Sequence, residues 1–268
     1  MNVSELVDDA TRRFRRARLR YGHGTDNPRD EAAFLVLRGL GLPFHARDRE
    51  ASPAEARKVE RLVHKRITAR IPVAYLIGEA WLAERAFYVD RRVIIPRSHI
   101  AELLQHKLKP WLRRPARRVL DLCTGSGCLA ILAAQAFPHA AIDAVDLSRR
   151  ALAVAAINTR QYRMKGRIRL LRSDLFAALA GERYDLIISN PPYVAAPSMR
   201  RLPPEYRHEP SMALAGGGDG LSLVKRIVSE APARLLPGGL LVCEIGSGRE
   251  AVERAFGRTR FLWPQTIA

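Results

Sequence analysis

Short apolar segments alternate with helical patterns through the second half of the sequence, and this alternation most constrains its fold. The apolar segments cover residues 119–122, 141–145, 168–171, 186–189 and 240–245, and helical periodicity covers residues 129–137, 150–160 and 221–236. Strands that alternate with helices form a parallel sheet covered on both faces. We therefore predict an α/β fold with a mostly parallel sheet, whose ligands bind outside the carboxyl ends of the strands.

The first apolar segment runs into a glycine turn that is typical of a nucleotide-type site. The turn is Cys123-Thr124-Gly125-Ser126-Gly127, a helical pattern follows it, and Asp146 closes the next strand 21 residues after Gly125. Glycine lets the backbone approach a ligand, and a carboxylate at the second strand accepts hydrogen bonds from ribose hydroxyls. We expect a nucleoside cofactor between this turn and Asp146.

Two further carboxylates bear on which nucleoside binds. The glycine pattern of residues 125–130 also fits a dinucleotide site, but Asp121 inside the strand end would repel a pyrophosphate. A carboxylate there can accept from the ammonium group of S-adenosylmethionine. Asp174, at the end of the third strand, is placed to accept from an adenine amino group, and Leu175 to pack on the ring. Helix N-capping is the alternative role for both aspartates.

The fourth apolar segment ends in the tetrapeptide Asn190-Pro191-Pro192-Tyr193. The following proline holds Asn190 out of helical geometry, so its side chain and the Pro191 carbonyl can both face a crevice. Two fixed acceptors beside the Tyr193 ring suit a planar amino group, either the exocyclic amine of adenine or the carboxamide of glutamine. A proline-stiffened turn without a ligand is the alternative.

Helical patterns dominate the first 70 residues. Apolar residues recur every three to four positions in residues 6–17 and 29–40, and Ser52 with Glu55 predicts a capping box for a third helix. Alternation over residues 71–96 indicates a hairpin-like connector, which precedes a helix near Ser98 and a linker at residues 113–115. The sequence therefore predicts a helical domain (1–70), a connector with a helix (71–114) and a sheet domain (115–268).

Positive charge is concentrated in the front part of the chain. The formal net charge is +18, and residues 1–118 contribute +12 of it through 26 Lys and Arg against 14 Asp and Glu. Six arginines crowd one short stretch: Arg12, Arg13, Arg15, Arg16, Arg18 and Arg20. A surface of this kind attracts nucleic acid through counterion release, and a solvated helix face is the alternative.

Several other classes of protein are not expected from this sequence. No apolar run approaches membrane-spanning length and the first residues carry charges, which predicts a cytoplasmic protein. The cysteines Cys123, Cys128 and Cys243 are too few and too scattered for a disulfide framework or a zinc site, so no metal is expected. The seven histidines are dispersed, and we interpret His208 as a surface latch rather than a catalyst.

Together these motifs resemble the HemK/PrmC/PrmB family of protein-glutamine N5-methyltransferases. The resemblance is carried by residues 121–127, 146, 173–176 and 190–193, and it extends over most of the chain through residues 94–98 and the helical front. It implies a Rossmann-like methyltransferase domain that uses S-adenosylmethionine, preceded by a substrate-recognition domain. It implies catalysis by Asn190, Pro191 and Tyr193, and substrate binding by all four residues of the tetrapeptide. The implied cofactor contacts are Asp121, Cys123, Thr124, Gly125, Ser126, Gly127, Asp146, Asp174, Leu175 and Asn190.

Within the family, residues 75–76, 80–81, 87–90 and 202–210, together with Cys123, are similar to the PrmB branch. That branch methylates a glutamine of the third protein of the large ribosomal subunit, so the resemblance implies a ribosomal protein as partner, either free or in RNA-containing precursor particles. The release-factor branch usually has glycine at the place of Cys123. It stays an alternative, as do an adenine-N6 methyltransferase of DNA or RNA and a non-catalytic RNA-binding assembly factor.

The end of the sequence departs from the family pattern. Members normally end with a strand pair, whereas this chain stops at residues 261–268, so we expect the last edge strand to be missing. Either the sheet is one strand short or the chain is truncated. All the predicted site residues precede this segment. The site is therefore expected to be complete.

Overall fold

A computed structural model describes residues 1–266 and confirms the α/β fold. The front part contains helices α1 (Val3–Arg16), α2 (Pro28–Gly39), α3 (Pro53–Thr68) and α4 (Val73–Ile77), the hairpin strands β1 (Glu79–Leu82) and β2 (Arg85–Tyr88), and helix α5 (Ile100–Gln105). The remainder contains β3 (Arg118–Leu122), α6 (Cys128–Ala136), β4 (Ala141–Asp146), α7 (Arg149–Gln161), β5 (Ile168–Arg172), β6 (Tyr184–Ser189), α8 (Ala196–Met199), α9 (Ser222–Glu230), β7 (Leu235–Cys243) and α10 (Arg249–Ala255). Among the described residues, no helix combines the length and the apolar character needed to cross a membrane.

The five strands β3 to β7 form one parallel sheet in the order β5-β4-β3-β6-β7. Alternate residues of β3 face opposite sides of this sheet, since Val119 packs with α5 and α6 whereas Leu120 packs with α9. In the register of the strands, Leu122 lies opposite both Val145 of β4 and Ser189 of β6. The turns that follow β3, β4 and β6 therefore leave the sheet at the same edge.

The strand positions follow the prediction, but the predicted helix over residues 221–236 is wrong in its last part. Helix α9 ends at Glu230, a 3₁₀ turn covers Ala231–Arg234, and β7 already begins at Leu235. Pro232 lacks the N–H group that an α-helix would require there. Proline therefore ends the helix one turn before the apolar pattern does.

Strand β7 forms one edge of the sheet in the described part of the chain. Its pairing with β6 contains a register shift between Tyr184 and Leu186, and most of its residues are only half-buried. Helix α10 follows, and residues 260–266 contain neither helix nor strand. As expected, no further edge strand follows β7 within residues 1–266, while residues 267 and 268 lie outside the described range.

The front helices form a module with an apolar core of its own. Asn2 and Glu5 form a capping box at α1, and Ser52 and Glu55 form the predicted one at α3. The core is built by buried residues of the first four helices, among them Val3, Phe14, Leu35, Val63 and Val73. We use the term helical module for α1 to α4.

A buried ion network joins the helical module to the segment that follows the tetrapeptide. The Arg66 side chain is fully buried; its Nε donates to Glu31 Oε1 at 2.7 Å and its Nη2 to the Arg20 carbonyl at 2.9 Å. Its Nη1 also lies 3.5 Å from Glu205 Oε1, which accepts from the Arg20 backbone N–H at 3.0 Å and from Arg70 at 3.3 Å. Removing one partner of such a buried pair typically costs about 3 to 5 kcal/mol. The segment around Glu205 is thus fastened to the module.

His23 lies in the same junction and is almost wholly buried. Its ring stacks at 4.4 Å between centroids on Tyr206, and its Nε2 lies 3.8 Å from Glu209 Oε2. Burial lowers the pKa of His23 to about 4, and this effect outweighs the opposing pull of the Glu209 carboxylate. His23 is therefore neutral at pH 7.

We expect this histidine to make the fold sensitive to mild acid. Because the folded-state pKa lies below the ordinary value of 6.5, the unfolded chain binds the proton first, and stability is lost as pH falls from about 6.5 towards 4. Between pH 7 and pH 5 the loss from His23 should be about 2 kcal/mol, at about 1.4 kcal/mol per pH unit. Chemical denaturation at both pH values, compared between the wild type and His23→Gln, measures it.

The comparison of the two proteins isolates His23. Asp121, whose pKa is raised, is present in both proteins and cancels, and Glu55 and Asp90, whose pKa values are lowered to about 2, titrate below the window. An equal loss of stability in the two proteins would show that His23 is not the sensitive group.

Candidate functional site

A cavity lies at the sheet edge where β3, β4, β5 and β6 end. It brings together seven of the predicted site residues, namely Cys123, Gly125, Asp146, Asp174, Leu175, Asn190 and Pro192. Its other walls come from the connector, through Arg92, Val93 and Ile94, and from the segment after the tetrapeptide, through Pro210, Met212 and Ala213. The carboxyl-end placement expected for a parallel sheet is therefore observed.

Asp121 is fully buried directly below the glycine turn, so it does not line the cavity. Its Oδ2 accepts from Thr124 Oγ1 at 2.5 Å and from the Ala130 backbone N–H, in the first turn of α6, at 3.0 Å. Its Oδ1 has no hydrogen-bond partner among the described residues. Burial raises the pKa of Asp121 to about 7. One oxygen thus bonds to the first turn of α6, whose N-cap is Gly127, and the other has no hydrogen-bond partner among the described residues.

Asp146 faces the cavity and holds the glycine turn in place. Its Oδ2 accepts from the Gly125 backbone N–H at 2.9 Å, and its Oδ1 accepts from the Ser148 N–H at 2.8 Å. Burial raises its pKa, against the effect of these backbone hydrogen bonds. Each carboxylate oxygen has a second lone pair, so hydroxyl donors of a ligand can still bind.

The backbone of the turn is shaped as much by packing as by a ligand. Gly127 has a φ of +78°, and an added Cβ would lie 3.1 Å from the Cβ of Ala155 in α7. Glycine is required there for the close approach of α7. Two cavity residues that are not glycine, Cys123 and Leu175, also adopt left-handed φ values of 59° and 48°. Such backbone strain gathers at ligand sites.

Asn190 is oriented by the connector. Its Nδ2 donates to the backbone carbonyl oxygen of Arg97 at 3.0 Å. Because a carbonyl can only accept, this contact assigns the nitrogen to that side and directs Oδ1 the other way. The carboxamide oxygen is thus available as an acceptor.

Tyr193 is clamped between glycines and does not line the cavity. An added Cβ at Gly246 would lie 2.8 Å from its ring, and added Cβ atoms at Gly216 and Gly220 would lie 2.7 and 2.5 Å from its backbone. Burial, followed by the nearby Glu244 carboxylate, raises the pKa of Tyr193 to about 12. Its hydroxyl therefore stays protonated at neutral pH, and its ring position is fixed.

The remaining predicted residues lie at the rim of the cavity or outside its lining. Asp174 is half exposed at the cavity rim, and its Oδ1 pairs with Arg226 Nη1 at 3.0 Å. Among the described residues, its side chain accepts no hydrogen bond from the first turn of a helix, so it does not serve as an N-cap. Thr124, Ser126, Gly127 and Pro191 do not line the cavity, although Pro191 lies between Asn190 and Pro192, which do. His208 Nε2 lies 2.8 Å from the Ala69 carbonyl, which places it as a latch between the segment after the tetrapeptide and the helical module.

Two groups of residues near the site were given no role in the sequence analysis. Arg97 and Glu209 form a two-bond ion pair with N–O distances of 2.7 Å, and the glycines of residues 216–220 enclose Tyr193. The run of glycines can be noticed in the sequence, because an ordinary turn requires fewer glycines. No signal marks the backbone carbonyl of Arg97 as a partner of Asn190.

Comparison with known proteins identifies close relatives. Residues 100–202 match the family model described as the methyltransferase small domain. A ribosomal protein uL3 glutamine methyltransferase of Bordetella pertussis is 52% identical over 98% of this chain and 91% of its own length. The protein of the same name from Burkholderia pseudomallei is 51% identical over 99% of this chain and 91% of its own length.

A solved structure supports the fold alone. The hMettl16 catalytic domain, crystallised in complex with the MAT2A 3′UTR hairpin 1, aligns with a TM-score of 0.53 at 17% identity and covers 77% of this chain and 72% of its own.

We expect Asp121 to make the affinity for a cationic ligand dependent on pH. With its pKa raised to about 7, the free carboxyl is partly protonated at pH 6, and an ammonium group beside Oδ1 would lower that pKa. We expect the affinity for S-adenosylmethionine to rise about fivefold to tenfold from pH 6 to pH 7, with release of a proton on binding. Calorimetry in two buffers of different ionisation enthalpy measures both quantities.

The control for this prediction is Asp121→Asn, which keeps the shape and cannot titrate. A pH dependence that survives in this variant comes from groups other than Asp121. Identical pH profiles in the two proteins would contradict the assignment to Asp121.

Proposed function

The chain belongs to the family of ribosomal protein uL3 glutamine methyltransferases, and on that premise we propose how its site carries out the reaction. It is a protein-glutamine methyltransferase, and its substrate is the third protein of the large ribosomal subunit. The observation that carries the assignment of roles is the Asn190 carboxamide, which lines the cavity with its nitrogen already bonded to Arg97. The proposed location is the cytoplasm, because ribosomal proteins are made and modified in that compartment.

The cavity fits S-adenosylmethionine by the chemistry of its donors and acceptors. Asp146, which lines the cavity, would accept from the ribose hydroxyls, and Asp121, whose Oδ1 is buried without a partner below the glycine turn, would attract the ammonium group through its charge. Asp174 would accept from the adenine amino group, and Leu175 would pack on the ring. The turn of residues 123–127 would approach the cofactor with its backbone. When bound, the cofactor supplies an electrophilic sulfonium methyl group.

The protein's task in this reaction is placement. A carboxamide nitrogen is a poor nucleophile because its lone pair is delocalised into the carbonyl. Asn190 Oδ1 and the Pro191 carbonyl would accept the two amide hydrogens of the substrate, and the fixed ring of Tyr193 would hold the amide plane. Orientation of this kind can lower a barrier by roughly 7 to 11 kcal/mol at best. The protonated Tyr193 hydroxyl is not needed as a base.

The rival functions predict different products. Methylation of release factors requires another protein substrate, adenine-N6 methylation requires a nucleic acid, and an assembly factor transfers no methyl group. Labelled cofactor, incubated with ribosomal precursors and divided between RNase and protease digestion, separates them. The proposed function is supported if the label is on uL3, survives digestion with RNase and is lost on digestion with protease. Label in RNA, in release factors or nowhere would overturn it.

The helical module is the proposed substrate-recognition domain, and its arginines are proposed to contact ribosomal RNA. Arg16, Arg18, Arg20 and Arg207 are exposed, and in the described residues none of their guanidinium groups lies within 4.0 Å of a carboxylate. Arg70 donates to the carbonyl of Arg18, which joins these positions to the segment after the tetrapeptide. A basic ribosomal protein would be repelled by this surface. RNA in a precursor particle would bridge the two.

The carboxamide of Asn190 should be essential for turnover. Asn190→Ala removes the acceptor without opening a core cavity, so the fold and most of the cofactor affinity should persist while the rate falls about 100-fold or more. Asn190→Asp keeps an acceptor and should retain partial activity. Single-turnover methylation of uL3 checks both variants. A near wild-type rate for the alanine variant would make the tetrapeptide only a structural turn.

The exposed arginines should make binding to precursor RNA depend on salt. Changing Arg16, Arg18 and Arg20 to Gln should reduce the slope of log affinity against log salt by about one for each lost phosphate contact. Filter binding to a ribosomal RNA fragment between 50 and 200 mM salt, roughly the range in which such contacts weaken, measures this slope.

A matched control removes the same charge elsewhere. Arg160, Arg163 and Lys165 are exposed at the far end of α7, away from the cavity. Their change to Gln should leave the slope unchanged. Equal effects of the two triple variants would show that only net charge matters.

A further inference from the structure

The orientation of Asn190 is decided by one backbone oxygen. An asparagine carboxamide can turn by 180° and exchange its acceptor oxygen with its donor nitrogen. In the observed orientation Nδ2 donates to the Arg97 carbonyl at 3.0 Å. In the turned orientation two acceptor oxygens would face each other there, which is unfavourable. The position of the Arg97 carbonyl therefore selects the orientation in which Asn190 Oδ1 can accept from a substrate.

Arg97 is held in place by Glu209. Two short bonds join them, from Arg97 Nη1 to Glu209 Oε1 and from Nη2 to Oε2, both at 2.7 Å. The Glu209 side chain is fully buried, and its Oε1 also accepts from the Ile95 backbone N–H at 2.9 Å. The Arg97 guanidinium further donates to the Ile95 carbonyl and lies 5.4 Å from the centre of the Tyr206 ring. Planar two-bond geometry of this kind fixes both partners.

Glu209 belongs to the segment that is anchored on the helical module. Glu205, four residues earlier, is bound by Arg66 and Arg70, and His208 contacts the Ala69 carbonyl at 2.8 Å. A continuous series of contacts thus runs from the helical module through this segment and Arg97 to Asn190.

We propose that Arg97 and Glu209 are positioning residues for methyl transfer, which hold the Arg97 carbonyl where it orients Asn190. The proposal rests on the function assigned above to Asn190. Neither side chain lines the cavity, so both act through another residue. Through this pair, the contacts that begin in the helical module reach Asn190, which would hold the amide of the substrate.

The test uses a double variant, because single variants leave a buried charge unpaired and can unfold the protein. Arg97→Gln with Glu209→Gln removes both charges and keeps similar side-chain volumes. We expect kcat to fall about tenfold or more, while KM for uL3, the Kd for S-adenosylmethionine and the melting temperature stay close to wild type. A purely structural role would lower the melting temperature or raise KM and leave kcat unchanged, which would overturn the proposal.

Arg38 and Glu79 offer a matched control pair. They form the same two-bond geometry at 2.7 and 2.8 Å between α2 and β1, with no contact to the tetrapeptide. Arg38→Gln with Glu79→Gln should leave kcat unchanged. A fall in kcat equal to that of the Arg97 and Glu209 variant would show a general effect of lost ion pairs.

Two further measurements tie the effect to Asn190. In the Asn190→Ala background, loss of the Arg97 and Glu209 pair should cost no additional rate, since residues that act through one group are not additive. A further tenfold loss would contradict the proposal.

The second measurement does not depend on activity. Hydrogen exchange of the ¹⁵N-labelled Asn190 side-chain amide should become at least tenfold faster in the double variant. Unchanged exchange would refute the positioning role even if uL3 proved not to be the substrate.

Discussion

The burial of the Arg66 guanidinium is the constraint on which the arrangement of the two halves of the molecule depends. A buried cation must be neutralised and its N–H groups must be bonded. Arg66 of α3 meets this demand with Glu31 of α2, the Arg20 carbonyl and Glu205 of the segment after the tetrapeptide. If any of these three partners moved away, a charge or an N–H group of Arg66 would lose its partner. The helical module and the segment around Glu205 are thereby held together.

The parallel sheet supplies the second constraint. Because the ends of β3, β4 and β6 are in register, the cofactor turn, Asp146 and Asn190 meet at one edge although they are far apart in sequence. The chemistry then requires little more than fixed acceptors. Asp121 keeps an unpartnered oxygen, Asp146 holds the turn, and the Asn190 oxygen is directed away from the Arg97 carbonyl.

The fold and seven of the residues that line the cavity could be predicted from sequence because they rest on local signals. Apolar runs marked all five strands of the sheet, and the glycine turn and the tetrapeptide marked the ends of two of them. The helix at residues 221–236 was overextended, because Pro232 outweighed an apolar pattern that continues into β7. The role of Arg97 could not be foreseen, since its partner Asn190 lies 93 residues away and bonds to a backbone atom that every residue has.

The glycines around Tyr193 restrict which sequences can carry this site. Any side chain at Gly216, Gly220 or Gly246 would intrude on the tyrosine, so these three positions admit almost no variation. The cavity lining formed by Pro210, Met212 and Ala213 contains no glycine, and the side chain of Met212 is exposed. A substitution at Met212 therefore meets less resistance from the fold than one beside Tyr193. Variation within the family and in engineered proteins is accordingly expected to gather on the Met212 side of the site.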